Sequence, residues 1–235
     1  MTTFPANRDI ASNLGHVQDL IDASIHRSGR TEGSVTLIAV TKTHGIDEIR
    51  AAAVAGVTHV GENRVQEAEE KIGQLQASGN LSWHLIGNLQ KNKVAKALSL
   101  FDMIHSIDSL ELARVLDDRN ASRKPMPVLL EVNIMGEVTK RGFTPEETLA
   151  SADIVAALPH LSLEGLMTIA PQSADPEACR PCFRKLAQLA EKAKRELPHI
   201  SWRHLSMGMS QDFTVAIEEG ATLVRIGSAI FGPRA

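Results

Sequence analysis

LIAVTKTHG, residues 37–45, places a lysine directly behind an apolar, β-branched run, with a threonine on either side of it. A central parallel strand is apolar on both faces, so Lys42 fits best at the strand's carboxyl end, where the chain leaves the core. Working outward from that strand, similar runs recur at 34–41, 57–60, 82–86, 101–105, 127–133, 161–167, 200–205 and 222–226. Segments of helical period lie between them, at 46–55, 63–77, 91–99, 109–120, 145–157, 176–196 and 211–219, and a further helix over 7–28 precedes the first strand. Ser109 and Thr144 are expected helix caps, the latter in TPEE with proline and acids in the first turn. Strands alternating with helices imply a parallel sheet. Eight of them in 235 residues favour an α/β fold of the closed (β/α)8 or TIM-barrel type, with an open doubly wound sheet as the alternative.

No internal repeat, low-complexity run or Gly/Pro/Ser-rich linker divides the sequence, so residues 1–235 are read as a single domain. The net charge of −3, from 25 basic and 28 acidic residues well mixed along the chain, offers no footprint for a nucleic-acid backbone. The start, MTTFPANRDIASNL, lacks the pattern of a secretory signal, and no stretch reaches the ~18 apolar residues of a membrane span. A cytoplasmic protein without a membrane partner is expected, acting as a monomer. Cys179 and Cys182, in ACRPCF, are spaced like a redox pair or half a zinc site near a helix start. No paired histidines complete a metal set, and ordinary reduced thiols are the expectation.

In a barrel the ligand sits at the carboxyl ends of the strands. The first strand ends at Lys42, and the second runs into GENRVQE (61–67), where Gly61 allows a tight turn and Asn63 offers an amide. His84 and IGNLQKNK (86–93) follow from the third, His105 from the fourth, and NIMGEVTKRGF (133–143) from the fifth. LSMGMSQDF (205–213) and VRIGSAIFG (224–232) join glycines and hydroxyls to helix starts after strands seven and eight, where barrels frequently bind phosphate. A lysine facing a phosphate site suggests a phosphorylated carbonyl compound held as a Schiff base. A free lysine at pKa about 10.4 must lose its proton first, which a desolvated pocket or a neighbouring cation such as Arg225 would favour. Plainer roles compete: Asn63 as a helix cap, Gly227 as a turn, Arg225 paired with a structural carboxylate, and His59, His84 and His105 as hydrogen-bonded barrel histidines.

The blocks AVTKT, GENRVQE, WHLIGNLQKNK, HSIDS, EVNI with KRGF, LEGLMTIAP and LSMGMSQDFTVAIEEGATLVRIGSAIFG resemble, in order, the pyridoxal phosphate homeostasis protein family, also called the YggS or PROSC family. The resemblance spans residues 7 to 234 and implies a barrel similar to the amino-terminal domain of alanine racemase. It implies pyridoxal 5′-phosphate (PLP) as cofactor, carried as an aldimine on Lys42, with Asn63 near the pyridine hydroxyl. Ser206, Gly227 and Ser228 would contact the phosphate with Met207 beside them, and Arg225 would face the pyridine nitrogen. An arginine cannot accept a proton, so the cofactor becomes a weak electron sink. The sequence contains no tyrosine to serve as a racemase's second base. The implied role is therefore holding and delivering PLP, with PLP-dependent apoenzymes as recipients and little or no turnover. A PLP-dependent amino acid racemase is the alternative.

Overall fold

A computed structural model describes residues 9–75, 81–121 and 123–232. The expected helices over 7–28 and 63–77 therefore run partly outside the described residues.

Eight parallel strands, β1 (Thr36–Val40), β2 (His59–Glu62), β3 (Ser82–Leu85), β4 (Met103–Ile107), β5 (Met126–Glu131), β6 (Leu161–Met167), β7 (His204–Met209) and β8 (Leu223–Ile226), close into a barrel in sequence order. The seam joins β1 to β8, with Ile38 beside Arg225, so the open-sheet alternative falls. Helices α1 (Ile10–Arg27), α2 (Ile46–Val54), α3 (Val65–Leu75), α4 (Val94–Leu100), α5 (Leu110–Arg119), α6 (Pro145–Ala156), α7 (Arg180–Glu196), α8 (Phe213–Glu218) and α9 (Ser228–Phe231) surround it or cover its ends. Short 3-10 turns at Lys91–Lys93 and Pro176–Cys179 lead into α4 and α7, where the sequence reading has continuous helices.

Local chemistry sets the helix starts. Ser109 Oγ accepts the Leu112 N–H at 3.3 Å, and Thr144 forms a capping box with Glu147. The main core lies between sheet and helices and contains the fully buried Phe183, Phe213, Leu116 and Ile21. A small second cluster of Ile38, Met103, Leu129, Met167 and Leu223 fills part of the barrel interior. Polar side chains, among them Ser206, Arg225, His105 and His84, occupy another part of it.

Two sequence expectations need correction, and the reading of the cysteines as ordinary reduced thiols holds. The seventh strand is not 200–205 but His204–Met209, because Ser206 turns inward to a polar partner inside the barrel and not to water. Gly61 belongs to β2 and makes no turn. A Cβ there would come within 2.9 Å of Ile38 Cγ2 and 3.1 Å of Ile86 Cδ1, so glycine is required for interior packing. The cysteines are buried free thiols with no metal-binding company among the described residues. Burial pushes Cys179 up to about 11, the reverse of thiolate activation.

Candidate functional site

Lys42 is half-buried, two residues past the end of β1. The peptides on both sides of it are clamped by a buried ionic cluster. Lys71 Nζ, from α3, donates to Thr41 O at 2.6 Å, to Glu62 Oε1 at 2.7 Å and to Glu67 Oε1 at 2.6 Å. Thr41 Oγ1 donates to Glu62 Oε1 at 2.6 Å, and the Thr43 N–H donates to Glu67 Oε1 at 2.6 Å. Thr43 is held at φ +68°, the only non-glycine with positive φ among the described residues. Burial raises Glu62 above the ordinary carboxylate value, against the pull of Lys71 and Thr41. Burial would raise Glu67 as well, but hydrogen bonds from Lys71 and Thr43 bring it below that value.

The neighbouring strand on the other side of β1 contributes Arg225, only 4% exposed, on the inner face of β8. Its Nη1 donates to Ser206 Oγ at 2.5 Å and its Nη2 to Thr168 O at 2.9 Å. Burial lowers it to about 10, partly opposed by Asp212 and Glu131, so it remains a cation near neutrality. Behind Ser206 runs a row of imidazoles. His105 Nδ1 lies 2.9 Å from Ser206 Oγ, His84 Nδ1 lies 3.0 Å from His105 Nε2, and His59 Nδ1 lies 2.9 Å from His84 Nε2. The row crosses the barrel toward its amino end, where His59 is half-buried. Burial, then the neighbouring His59, lower His84 to about 3; burial puts His105 well below its usual value too.

At the joint of β8 and α9 the backbone of Gly227 approaches β1 so closely that a Cβ would lie 3.3 Å from Val40 O. Ser210 Oγ accepts the N–H of Gly227 at 3.2 Å and of Ala229 at 3.3 Å, and Asp212 Oδ1 accepts the Met209 N–H at 2.6 Å. Gly227 and the exposed Ser228 thus lie next to the β1 end that carries Lys42. Ser206 is placed elsewhere: its hydroxyl is inside the barrel, engaged by Arg225 and His105. Met207 is fully buried in the core cluster between sheet and helices. Ser210, which sequence reasoning passed over, takes the position beside Gly227. Its signal was the second hydroxyl in LSMGMSQDF.

Asn63 follows β2, and its Oδ1 is buried with no hydrogen-bond partner. Such an acceptor is costly unless a ligand donor meets it. It borders a cavity of about 320 Å³ lined also by Ile86, Glu131, Lys140 and Ile169. A larger cleft of about 790 Å³ lies beside it, between Asn88, Lys91, Asp108 and Arg141, away from Lys42. Lys140 is tied to Glu137 at 2.5 Å and to Ile169 O at 3.2 Å.

A lysine on a clamped peptide, an orphaned amide acceptor on one neighbouring strand and a buried cation on the other lie toward the carboxyl ends of β1, β2 and β8, the end at which barrels of this type carry their ligand sites. The family profile described as alanine racemase, N-terminal domain, matches residues 21–235. The pyridoxal phosphate homeostasis protein of Escherichia coli K12 is 42% identical over 229 residues, covering 96% of this chain and 97% of that protein. That of Vibrio alginolyticus is 41% identical over 229 residues, covering 96% and 97%. PipY of Synechococcus elongatus, solved with PLP bound, is 36% identical with a TM-score of 0.85, covering 95% of this chain and 100% of that one. Alanine racemase of Clostridium difficile, at 16% identity and a TM-score of 0.73, shares the fold, and this chain spans 56% of its length. The chain belongs to the pyridoxal phosphate homeostasis protein family.

Proposed function

We propose that this chain binds pyridoxal 5′-phosphate through Lys42 and serves in PLP homeostasis, holding the cofactor and delivering it to PLP-dependent apoenzymes, with little or no turnover. The observation that carries the reading is the full-length relationship to proteins of that name, one of which is solved with PLP bound.

The residues present fit the group. The unpartnered Asn63 Oδ1 matches a ligand hydroxyl donor, and the exposed Ser228 beside the side-chain-free Gly227 could meet a phosphate. When bound, PLP supplies an aldehyde for a lysine amine and a conjugated ring that withdraws electrons. Lys42 provides the amine, presented by the Thr41 and Thr43 contacts to Lys71 and Glu67. Arg225 donates only, so beside a ring nitrogen it would leave that nitrogen unprotonated and electron withdrawal weak. Ser210 fixes the Gly227–Ala229 turn, whose exposed Ser228 would receive the phosphate. Met207 and Ser206 support this end of the site through packing and through Arg225.

No helix among the described residues is long and apolar enough to cross a membrane. Delivery to apoenzymes accords with a cytoplasmic monomer, and light scattering of the purified chain tests the oligomeric part of that reading.

The deciding experiment is the visible spectrum of the protein with PLP, borohydride reduction and peptide mapping, alongside Lys42→Ala. A band whose label maps to Lys42 and is lost in the variant is expected. A label on another lysine, or no band, overturns the proposal. Racemisation of common amino acids at roughly 1 per second or faster would overturn the non-catalytic part.

A further inference from the structure

Arg225 is held by a side chain whose own proton has one place to go. Among the described residues Ser206 Oγ has two hydrogen-bond partners, Arg225 Nη1 and His105 Nδ1. A guanidinium can only donate, so it occupies a lone pair of Ser206 Oγ. The Ser206 hydroxyl proton is then free to point at His105 Nδ1, which must be bare to receive it. A neutral imidazole with bare Nδ1 carries its proton on Nε2, and His105 Nε2 faces His84 Nδ1 at 3.0 Å. The same step repeats: His84 Nδ1 is bare, its Nε2–H points at His59 Nδ1 at 2.9 Å, and His59 carries its proton on Nε2. The opposite order would leave the buried Ser206 hydroxyl proton without an acceptor, a loss that buried polar groups avoid.

We propose that His105, acting through Ser206, is a positioning residue for Arg225, and that Arg225 orders His105, His84 and His59 into one neutral series, each protonated on Nε2 and accepting at Nδ1. The consequence for the site lies in Arg225. With Nη1 committed to Ser206 and Nη2 to Thr168 O, the guanidinium plane is fixed, and its remaining N–H groups take one orientation toward the ligand. The titratable and charged groups facing the row are Asp102 beside His59, His204 with Glu164 at 3.6 Å, and Arg225 itself. Burial disfavours a cationic His84 or His105, and the field of Arg225 disfavours a charge on His105 further. A series that stays neutral can keep its order across the working pH range. The reach of this effect to the cofactor rests on the reading that Arg225 faces PLP.

The test begins without cofactor. Nitrogen-15 NMR of the imidazoles in the full chain is expected to find His84 and His105 neutral, protonated on Nε2 and accepting at Nδ1, from pH 6 to 8 (roughly the range over which a free histidine changes charge). Protonation on Nδ1 of either residue, or a cationic form, overturns the proposal. With PLP added, His105→Leu is expected to shift the visible band or the pH at which it titrates, while His105→Gln, whose carbonyl oxygen can accept from Ser206, restores the wild-type spectrum. If His105→Leu fails to fold, Ser206→Ala takes its place, expected to shift the band and to unlock the single Nε2–H form of His105. Spectra indifferent to these changes overturn the positioning role. A wild-type protein that takes up no PLP would instead defeat the cofactor reading and leave the NMR result to stand or fall separately.

Discussion

Glu67 Oε1 takes the backbone hydrogen bond of Thr43 at 2.6 Å, holding a β-branched residue at φ +68° one position past Lys42. Left-handed backbone is unfavourable for such a residue by about 1–2 kcal/mol. The arrangement thus spends stability on fixing the peptide that carries the lysine.

Thr43→Gly separates the two effects. Glycine adopts this φ without strain but loses more chain entropy on folding, so the terms nearly cancel and the melting temperature should stay within about 2 °C of wild type. The rate of cofactor capture, followed by stopped-flow absorbance, should fall severalfold because the Lys42 peptide is freer. Unchanged capture would show that the clamp is structural only.

Lys71→Met removes the one cation shared by Glu62 and Glu67, whose side chains are 0% and 25% exposed. Breaking a buried pair from one side costs about 3–5 kcal/mol, read as a lower urea midpoint at unchanged slope. Adding Glu62→Gln removes the buried charge left behind and should recover part of that loss. A strictly additive double variant would contradict the coupling.

Acid stability should depend on the cluster where α7 meets α8. Glu218 is held below the ordinary glutamate value of 4.5 by Arg180, then Arg27, and Glu219 by Arg184 and Arg180. Lowered folded pKa values stabilise the protein above the unfolded value, and that contribution is lost as pH falls through the folded ones. The melting temperature should therefore drop below about pH 4.5 for wild type. It should drop less for Arg180→Gln, in paired calorimetric scans. Parallel curves would refute the assignment.

Gly87→Ala tests the Asn63 end of the site. A Cβ there would lie 2.4 Å from Asn63 O, so the Asn63 peptide must move. Equilibrium titration should show PLP affinity reduced about tenfold, equivalent to about 1.4 kcal/mol, with the circular dichroism of the barrel retained.

Much of the barrel was legible because each strand is a short apolar run bounded by helical period. Ser109 and Thr144 were readable as caps because capping is decided within four residues. Beyond that range polarity misleads. SMGM after Leu205 looks like a loop, yet it is strand, because its serine is satisfied by an arginine nineteen positions later. Lys71 sits in EAEEKIG, which reads as a solvated helix face, and only tertiary packing turns it inward beneath Thr41. The positions of Lys42, Asn63 and Gly227 at strand ends were readable because each lies within two residues of an apolar run. Ser210 was not, because a strand taken to stop at 205 makes both hydroxyls look equivalent.

The seam between β1 and β8 has a consequence for folding. Lys42 follows β1 and Gly227 follows β8, and they become neighbours only when Ile38 pairs with Arg225, 187 residues further on. The long contact is the slow one to form. A chain whose β8 has not docked against β1 therefore leaves Lys42 and Gly227 apart, so capture of a reactive aldehyde at that mouth would report barrel closure.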